Sequence, residues 1–159
     1  ALQCAFMLGA RPIVISSSDE KIQRARSMGA VGSVNYQTTP KWHERVMELT
    51  DGVGVDVVVE VGGAGTLERS VAATRVAGRI ALIGVLAGGT MNPTMMMRKS
   101  IRLQGIYVGS HDMFKRMNEA ISSDQMKPVI DQTFPFADAA CAYYAMQRAE
   151  HLGKLVVTC

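Results

Sequence analysis

The sequence contains few of the residues that hold together small disulfide-bonded or zinc-bound domains. It has three cysteines in 159 residues, Cys4, Cys141 and Cys159, which are odd in number, widely spaced and without a C-x-x-C pair. This pattern supports neither a disulfide framework nor a zinc knuckle. Because such cysteine usage is typical of reducing compartments, we expect a cytoplasmic protein.

Long apolar segments and a strong excess of one charge are also missing. No apolar run reaches the roughly 18 residues that a membrane-spanning helix needs, and no secretory leader pattern is present. The 17 Lys and Arg against 14 Asp and Glu give a net charge of +3, and they are scattered along the chain. We therefore expect neither a nucleic-acid groove nor a membrane-binding patch, whereas small anionic ligands fit this charge.

The chain does have the composition and patterning of one soluble α/β domain. Hydrophobic residues make up 48% of it, which is enough for a core without disulfides or metals. Strand-like apolar runs alternate with segments of helical periodicity, and this alternation predicts a doubly wound parallel sheet with helices on both faces. The predicted strands are residues 13–15, 31–36, 55–61, 79–85, 101–108 and 155–158.

Residues 90–99 carry four of the eleven methionines, around Pro93. We predict a loop and a short helix there, covering a sheet edge or a partner surface. Because methionine adapts to irregular gaps, we favour packing in the core as its role.

The segment after the first predicted strand bears on the choice of nucleotide. In an open α/β sheet ligands bind beyond the carboxyl ends of the strands, and a dinucleotide fold that selects NAD usually has an Asp or Glu here. Ser16 stands at that place, and Lys21 lies in the first turn of the following helix. A neutral hydroxyl beside a lysine favours NADP. The alternative is that the serines only cap the helix, with Ser17 and Glu20 at the spacing of a capping box.

Two further strand ends are rich in glycine. Residues 61–65 read V-G-G-A-G and residues 84–89 read G-V-L-A-G-G. Without a Cβ, such segments allow a ligand to approach the backbone closely. Each of them is equally compatible with an ordinary tight turn.

Several motifs, in a consistent order along the chain, resemble the medium-chain dehydrogenase/reductase superfamily, the group of zinc-type alcohol dehydrogenases and quinone reductases. The motifs are S-S-D-E-K-x-x-x-A-R-x-x-G-A at residues 17–30, N-Y at 35–36, G-V-D-V-V-V-E-V-G-G at 54–63, G-R-I-A-L-I-G-V at 78–85 and H-L-G-K-L-V-V at 151–157. The resemblance covers essentially the whole chain.

The resemblance implies a Rossmann-type domain that binds NADP, with NAD possible, in an oxidoreductase that transfers hydride to or from an alcohol, aldehyde, ketone or quinone. It implies twelve cofactor-binding residues: Ser16, Lys21 and Tyr36 at the adenosine 2′-phosphate, with Ser17 also in the cofactor-binding set; Val61, Gly62 and Gly63 at the adenosine ribose; and Ile83, Gly84, Val85, Tyr107 and Val108 at the nicotinamide. We assign no catalytic residue. We assign no metal ligand either, because the three histidines are isolated from one another.

The resemblance also implies parts that this sequence does not contain. In the family, a first strand and a glycine-rich turn precede the helix that ends at Gly9, and an amino-terminal domain supplies the metal ligands and much of the substrate pocket. We therefore expect that the natural protein is longer and that the isolated chain has no activity. Whether the parent protein uses zinc depends on residues outside this chain.

On this interpretation, residues 1–159 form a partial nucleotide-binding domain, with residues 133–159 packing towards the absent catalytic domain. Pairing through the sheet edge near residues 101–108 would give a homodimer. The alternative function is a nonenzymatic nucleotide-binding or interaction module.

Overall fold

The computed structural model describes all residues from Ala1 to Cys159 and divides into two compact units, Ala1–Ser110 and His111–Cys159. No helix combines the length and the apolar character needed to cross a membrane. Unit 1 contains α1 (Leu2–Met7), β1 (Ile13–Ser16), α2 (Asp19–Ser27), β2 (Gly32–Asn35), α3 (Trp42–Leu49), β3 (Val55–Glu60), α4 (Ala64–Ala73), β4 (Thr74–Leu82), α5 (Thr94–Arg98) and β5 (Arg102–Gly105). Unit 2 contains α6 (His111–Ser123), β6 (Ile130–Pro135), a 3-10 turn (Phe136–Asp138), α7 (Ala139–Arg148) and β7 (Lys154–Thr158).

All strand pairs are parallel, which confirms the predicted α/β class. In unit 1 the strands form two sheets, one of order β1-β2 and one of order β3-β4-β5. The strands β1 and β3 each pair on one side only. The family resemblance implies that the missing first strand lies centrally, between β1 and β3, and the strands of unit 1 are divided into two sheets at that place.

A hydrophobic cluster around helix α3 joins the two sheets of unit 1. The buried side chains Trp42 and Val46 of this helix pack with Val34 of β2 and with Ala73 at the end of α4. The partly buried Ile13, Leu49 and Val55 complete this cluster. Because the cluster includes residues from both sheets, apolar burial holds them together without hydrogen bonds between β1 and β3.

Helix α4 covers one face of the larger sheet. Leu67 and Val71 of this helix pack on the fully buried Ile80 of β4. Met91 and Met96 pack against the same cluster, which confirms the core role for two of the four clustered methionines, whereas Met95 and Met97 are exposed. On the face of β3 away from α4, Val57 and Val59 are 54% and 48% exposed.

Lys99 fixes the carboxyl end of α4. Its Nζ donates to the carbonyl oxygens of Val71, Ala72 and Thr74 at 3.2, 2.7 and 2.7 Å. Val71 and Ala72 lie in the last turn of α4, where carbonyls run out of helical N–H partners, although the carbonyl of Val71 also accepts the N–H of Thr74. A cation at this end also complements the helix dipole. Burial lowers the pKa of Lys99 below its ordinary value, in opposition to these contacts. The position of α4 relative to the sheet is therefore set at both the core face and the carboxyl end.

Unit 2 is built on a two-stranded parallel sheet of β6 and β7. Helix α7 packs against these strands and buries Ala142 and Ala145. The closing strand agrees with the strand predicted at residues 155–158, but β6 is not predicted at all. Its segment follows Pro128 and ends at Pro135, and prolines usually interrupt strands.

Candidate cofactor-binding site

The turn between β1 and α2 is organised by serine side chains. Ser18 is the N-cap of α2, and its Oγ accepts a hydrogen bond from the backbone N–H of Lys21 at 3.3 Å. The backbone N–H of Ser18 donates to Oγ of Ser16 at 3.4 Å. The predicted capping box is therefore wrong by one residue, since Ser17 is exposed and does not cap the helix. Ser16 takes part in the turn while remaining at the end of its strand.

Tyr36 lies beside Ser16 because β1 and β2 run parallel and in register. Ser16 is paired with Asn35 across the two strands, and the backbone N–H of Tyr36 donates to the carbonyl of Ser16 at 3.0 Å. The side chain of Tyr36 is 42% exposed. The structure thus brings Ser16, Lys21 and Tyr36 to one corner, at the ends of two strands and the start of α2.

The charges at this corner are mixed. Asp19 and Glu20 precede Lys21 in the first turn of α2. The carboxylate of Asp19 accepts a hydrogen bond from Nδ2 of Asn35 at 2.7 Å, which ties it to the end of β2. The cap itself is a neutral hydroxyl, so the positive end of the α2 dipole is not neutralised by a buried carboxylate. An anionic group at this corner would meet the helix dipole and Lys21, together with the exposed carboxylates of Asp19 and Glu20.

The end of β3 contains a functional candidate that sequence analysis misses. Glu60 is 3% exposed, and its Oε1 accepts hydrogen bonds from the backbone N–H groups of Gly62 and Gly63 at 2.7 and 3.1 Å. The same oxygen accepts one from Oγ1 of Thr66 at 2.7 Å, and Oε2 accepts one from Oγ of Ser70. The sequence does contain a signal that could have identified Glu60. An acid stands between a β-branched strand and a pair of glycines, and two hydroxyl residues follow four positions apart on the next helix.

The backbone of Glu60 also joins β3 to the segment after β4. Its carbonyl oxygen accepts hydrogen bonds from the N–H groups of Ile83 and Gly84 at 2.8 and 2.9 Å. A Cβ at Gly84 would collide with the backbone of Val61 and stand 2.8 Å from the nitrogen of Gly63, which itself has φ +75°. These glycines are thus required by contact between two turns of the protein, a reason that the sequence did not reveal.

The residues predicted for the nicotinamide lie after β4 and β5, which are neighbouring parallel strands with Leu82 opposite Gly105. The N–H of Ile106 donates to the carbonyl of Leu82 at 2.8 Å and extends this pairing. The side chains at the two strand ends are apolar or aromatic and exposed: Ile83, Val85, Tyr107 (94% exposed) and Val108. This surface suits a flat, largely uncharged ring better than a phosphate.

The side chains of this chain do not fit a zinc site. No three of its His, Cys, Asp and Glu residues lie close enough together to hold a metal ion. A zinc ion needs three or four such ligands. We therefore assign no step of a reaction to a metal held by these residues.

Comparison with known proteins gives the family. A family model described as zinc-binding dehydrogenase matches residues 1–123, which is more than half of the chain. The chain belongs to the zinc-binding dehydrogenase family. The match covers all of unit 1 and therefore every one of the twelve residues predicted at the zinc-binding dehydrogenase cofactor site.

Individual members of the zinc-binding dehydrogenase family show the same relationship. A zinc-type alcohol dehydrogenase-like protein of Schizosaccharomyces pombe is 37% identical over 99% of this chain and 47% of its own length. The crystal structure of an NAD-dependent alcohol dehydrogenase is 32% identical, with a TM-score of 0.92 over 100% of this chain and 47% of that one. A mycobacterial protein solved in complex with NADPH is 27% identical, with a TM-score of 0.79 over 99% of this chain and 53% of that one.

These comparisons confirm the predicted superfamily and the Rossmann-type fold. They also show that the chain spans about half the length of the curated relatives it matches.

Proposed function

We propose that this chain is the cofactor-binding portion of an NAD(P)-dependent oxidoreductase that prefers NADP(H). The parent protein would transfer hydride between the nicotinamide and an alcohol, aldehyde, ketone or quinone. The observation that carries the proposal is the corner formed by Ser16, Lys21 and Tyr36, where a neutral side chain stands at the place of the NAD-selecting acid.

The geometry of this corner favours a 2′-phosphate on the adenosine ribose. An Asp or Glu at position 16 would accept hydrogen bonds from the ribose hydroxyls and repel a phosphate. Ser16 carries no charge, and its Oγ already accepts the N–H of Ser18. Lys21 adds a positive charge in the first turn of α2, next to the exposed carboxylates of Asp19 and Glu20, and charge-assisted hydrogen bonds to phosphate are the stronger kind.

The relatives support the cofactor class and leave two candidates for its identity. The mycobacterial protein solved with NADPH supports NADP(H). The NAD-dependent alcohol dehydrogenase, which is somewhat more similar in sequence, supports NAD(H). Our preference for NADP(H) therefore depends on the side chains of this chain and not on the relatives.

The chemistry divides between the cofactor and the protein. The nicotinamide supplies the hydride when bound, and the residues of this chain bind and orient it. The exposed side chains of Ile83, Val85, Tyr107 and Val108 would cover one side of the ring and exclude water from it. We assign no general acid to this chain, so proton transfer and substrate binding fall to the rest of the parent protein. We propose that residues 133–159 pack towards that part, and that the parent is a cytoplasmic homodimer.

The test is a titration of this chain with NADPH and with NADH, followed by nicotinamide fluorescence and by melting temperature. Saturable binding of NADPH that is tighter than that of NADH, with a rising melting temperature, is the expected result. The variant Lys41→Ala serves as a control, because Lys41 is an exposed lysine at the start of α3 whose side chain pairs with Glu44 and with no residue of the corner. A folded chain that binds neither dinucleotide would contradict the proposal and favour an interaction module.

A further inference from the structure

The buried carboxylate of Glu60 lies where a helix attracts negative charge. Helix α4 begins at Ala64, four residues after Glu60, which ends β3, and its N-cap Gly63 contributes no side chain. The first N–H groups of a helix lack helical partners and form the positive end of its dipole. In many nucleotide-binding proteins a phosphate occupies such a place.

Here the donors around the start of α4 are already used by the protein. The N–H groups of Gly62 and Gly63 point to Oε1 of Glu60, at 2.7 and 3.1 Å. The hydroxyl groups of Thr66 and Ser70, one helical turn apart, complete the shell around the carboxylate. A buried ionised group requires such partners, because an unpaired charge in the interior is strongly unfavourable.

The same residue determines the position of the turn relative to β4. Its carbonyl oxygen binds the N–H groups of Ile83 and Gly84, and the backbone of Val61 lies directly against Gly84. The side chain of Glu60 thus fixes the turn of residues 61–63, while its main chain fixes the start of the segment after β4. Both of these segments belong to the predicted cofactor site.

We propose that Glu60 is a positioning residue of the dinucleotide site: its carboxylate fills the anion-binding start of α4 and holds the turn of residues 61–63 in place for an uncharged part of the cofactor. This inference rests on the proposed function. A glycine-rich turn before a helix would ordinarily be assigned to the pyrophosphate. With both glycine N–H groups bound to Glu60, the turn offers its backbone surface to a sugar, and phosphate binds elsewhere.

The principal experiment compares three variants of this chain. Glu60→Ala removes an acceptor from four donors, of which the Thr66 hydroxyl keeps a second acceptor in the carbonyl of Gly63. We expect NADPH affinity to fall at least about tenfold together with the melting temperature. Formate, a carboxylate small enough for the vacated space, should restore both, whereas chloride at equal ionic strength should not. Glu60→Gln keeps an acceptor for Gly62, Gly63 and Thr66 and can donate to Ser70, so it should bind NADPH nearly as the wild type does.

A matched control separates positioning from loss of stability. Leu67→Ala opens a cavity on the core face of α4 without touching the carboxylate. It should lower the melting temperature, leave the affinity of the remaining folded chain unchanged and show no response to formate. A second control is Asp56→Asn, an exposed acid on the same strand that pairs with Arg75.

A phosphate titration tests the anion site without any dinucleotide. Inorganic phosphate added to the wild-type chain should leave the amide resonances of Gly62 and Gly63 in the nuclear magnetic resonance spectrum unmoved. A saturable shift of these two resonances would overturn the proposal, because their N–H groups would then be available to a ligand.

The remaining outcomes are also decisive. A folded Glu60→Ala chain with wild-type NADPH affinity would overturn the positioning role, and so would a folded Glu60→Gln chain as weak as Glu60→Ala. If Glu60→Ala does not fold, the variant Glu60→Asp takes its place, because it withdraws the carboxylate by one methylene. We expect it to bind NADPH more weakly with unchanged helix content, and wild-type binding would overturn the positioning role.

A wild-type chain that binds no dinucleotide would defeat the proposed function and, with it, the positioning role. The formate and phosphate results would still decide whether Glu60 fills the anion site.

Discussion

Helices α2 and α4 both begin directly after a parallel strand, yet their first turns are completed in opposite ways. At α2 the cap is the neutral hydroxyl of Ser18, and acids and a lysine follow it on the surface. At α4 the cap is Gly63, and the buried carboxylate of Glu60 lies against the turn. A buried carboxylate that already binds the free N–H groups of a helix start leaves no place there for a further anion. The carboxylate of Glu60 is bound in this way at α4. The acids at α2, Asp19 and Glu20, are exposed to solvent, so the start of α2 is not closed by a buried acid.

The contrast also shows that glycine content alone does not identify a phosphate-binding turn. Both glycines after β3 have their N–H groups bound to Glu60, and the glycine after β4 is needed for contact with Val61. The corner at α2, which has no glycine, keeps the features that recognise a charged ligand.

The largest expected effect tests the contact between the turn of residues 61–63 and Gly84. Gly84→Ala places a Cβ against the backbone of Val61, and because backbone cannot move aside as a flexible side chain can, we expect the free energy of unfolding to fall by about 2 to 3 kcal/mol. Chemical denaturation measures this. Gly88→Ala is the control, since nothing lies within 4 Å of the added carbon. Equal stability of the two variants would show that the two turns are not in close contact.

The next prediction concerns the corner formed by Ser16, Lys21 and Tyr36. Lys21→Ala should weaken NADPH binding by about 10- to 150-fold, the loss expected for a hydrogen bond to a charged group, and should affect NADH much less. The ratio of the two dissociation constants is the quantity to compare, because it cancels any change in stability. Lys41→Ala should leave the ratio unchanged. Equal losses for both dinucleotides would remove Lys21 from the 2′-phosphate site.

A smaller effect is expected from adding a charge at the same corner. Ser16→Asp keeps an acceptor for the N–H of Ser18 and introduces a carboxylate that binds ribose hydroxyls and repels phosphate. The preference should move towards NADH by about tenfold, equivalent to roughly 1.4 kcal/mol. Gln37→Asp adds the same charge at a nearby exposed position outside the twelve predicted residues and is the control. If both variants change selectivity equally, the electrostatic potential of the whole corner determines selectivity, and Ser16 has no specific contact with the adenosine ribose.

The smallest effect separates capping from ligand binding. Ser18→Ala removes the side-chain acceptor of the Lys21 N–H and should lower the free energy of unfolding by about 1 kcal/mol, as is usual for an N-cap. Ser17→Ala should have no measurable effect. Thermal denaturation of both variants checks the one-residue correction to the predicted cap, which would fail if Ser17→Ala were the destabilised variant.

Sequence patterns predicted strands and their parallel pairing in unit 1, but they did not predict the capping residue of α2 or the strand β6. The β-branched run before Gly62 predicted β3, and the alternation of strands and helices predicted parallel pairing. The choice between Ser17 and Ser18 as the cap could not be made, because adjacent serines offer the same hydroxyl and only the helix phase decides which one faces the free N–H groups. Strand β6 escaped prediction because flanking prolines are a stronger local signal than its short apolar pattern.

Glu60 marks the limit of sequence reasoning at the site. A glutamate in a strand is expected at the surface, because an unpaired charge is rarely buried. Its burial depends on donors from Gly62, Gly63, Thr66 and Ser70, which surround it only after α4 has packed on the sheet.

The sequence by itself determined the α/β class, the parallel order of the elements and the residues that stand at the strand ends, because hydrophobic periodicity and turn chemistry are local properties of the chain. The tertiary structure alone decided which helix start is closed to a further anion by a buried carboxylate. That outcome depends on which side chains converge on the free N–H groups, and convergence of residues from a strand, a turn and a helix is a property of packing and not of local sequence.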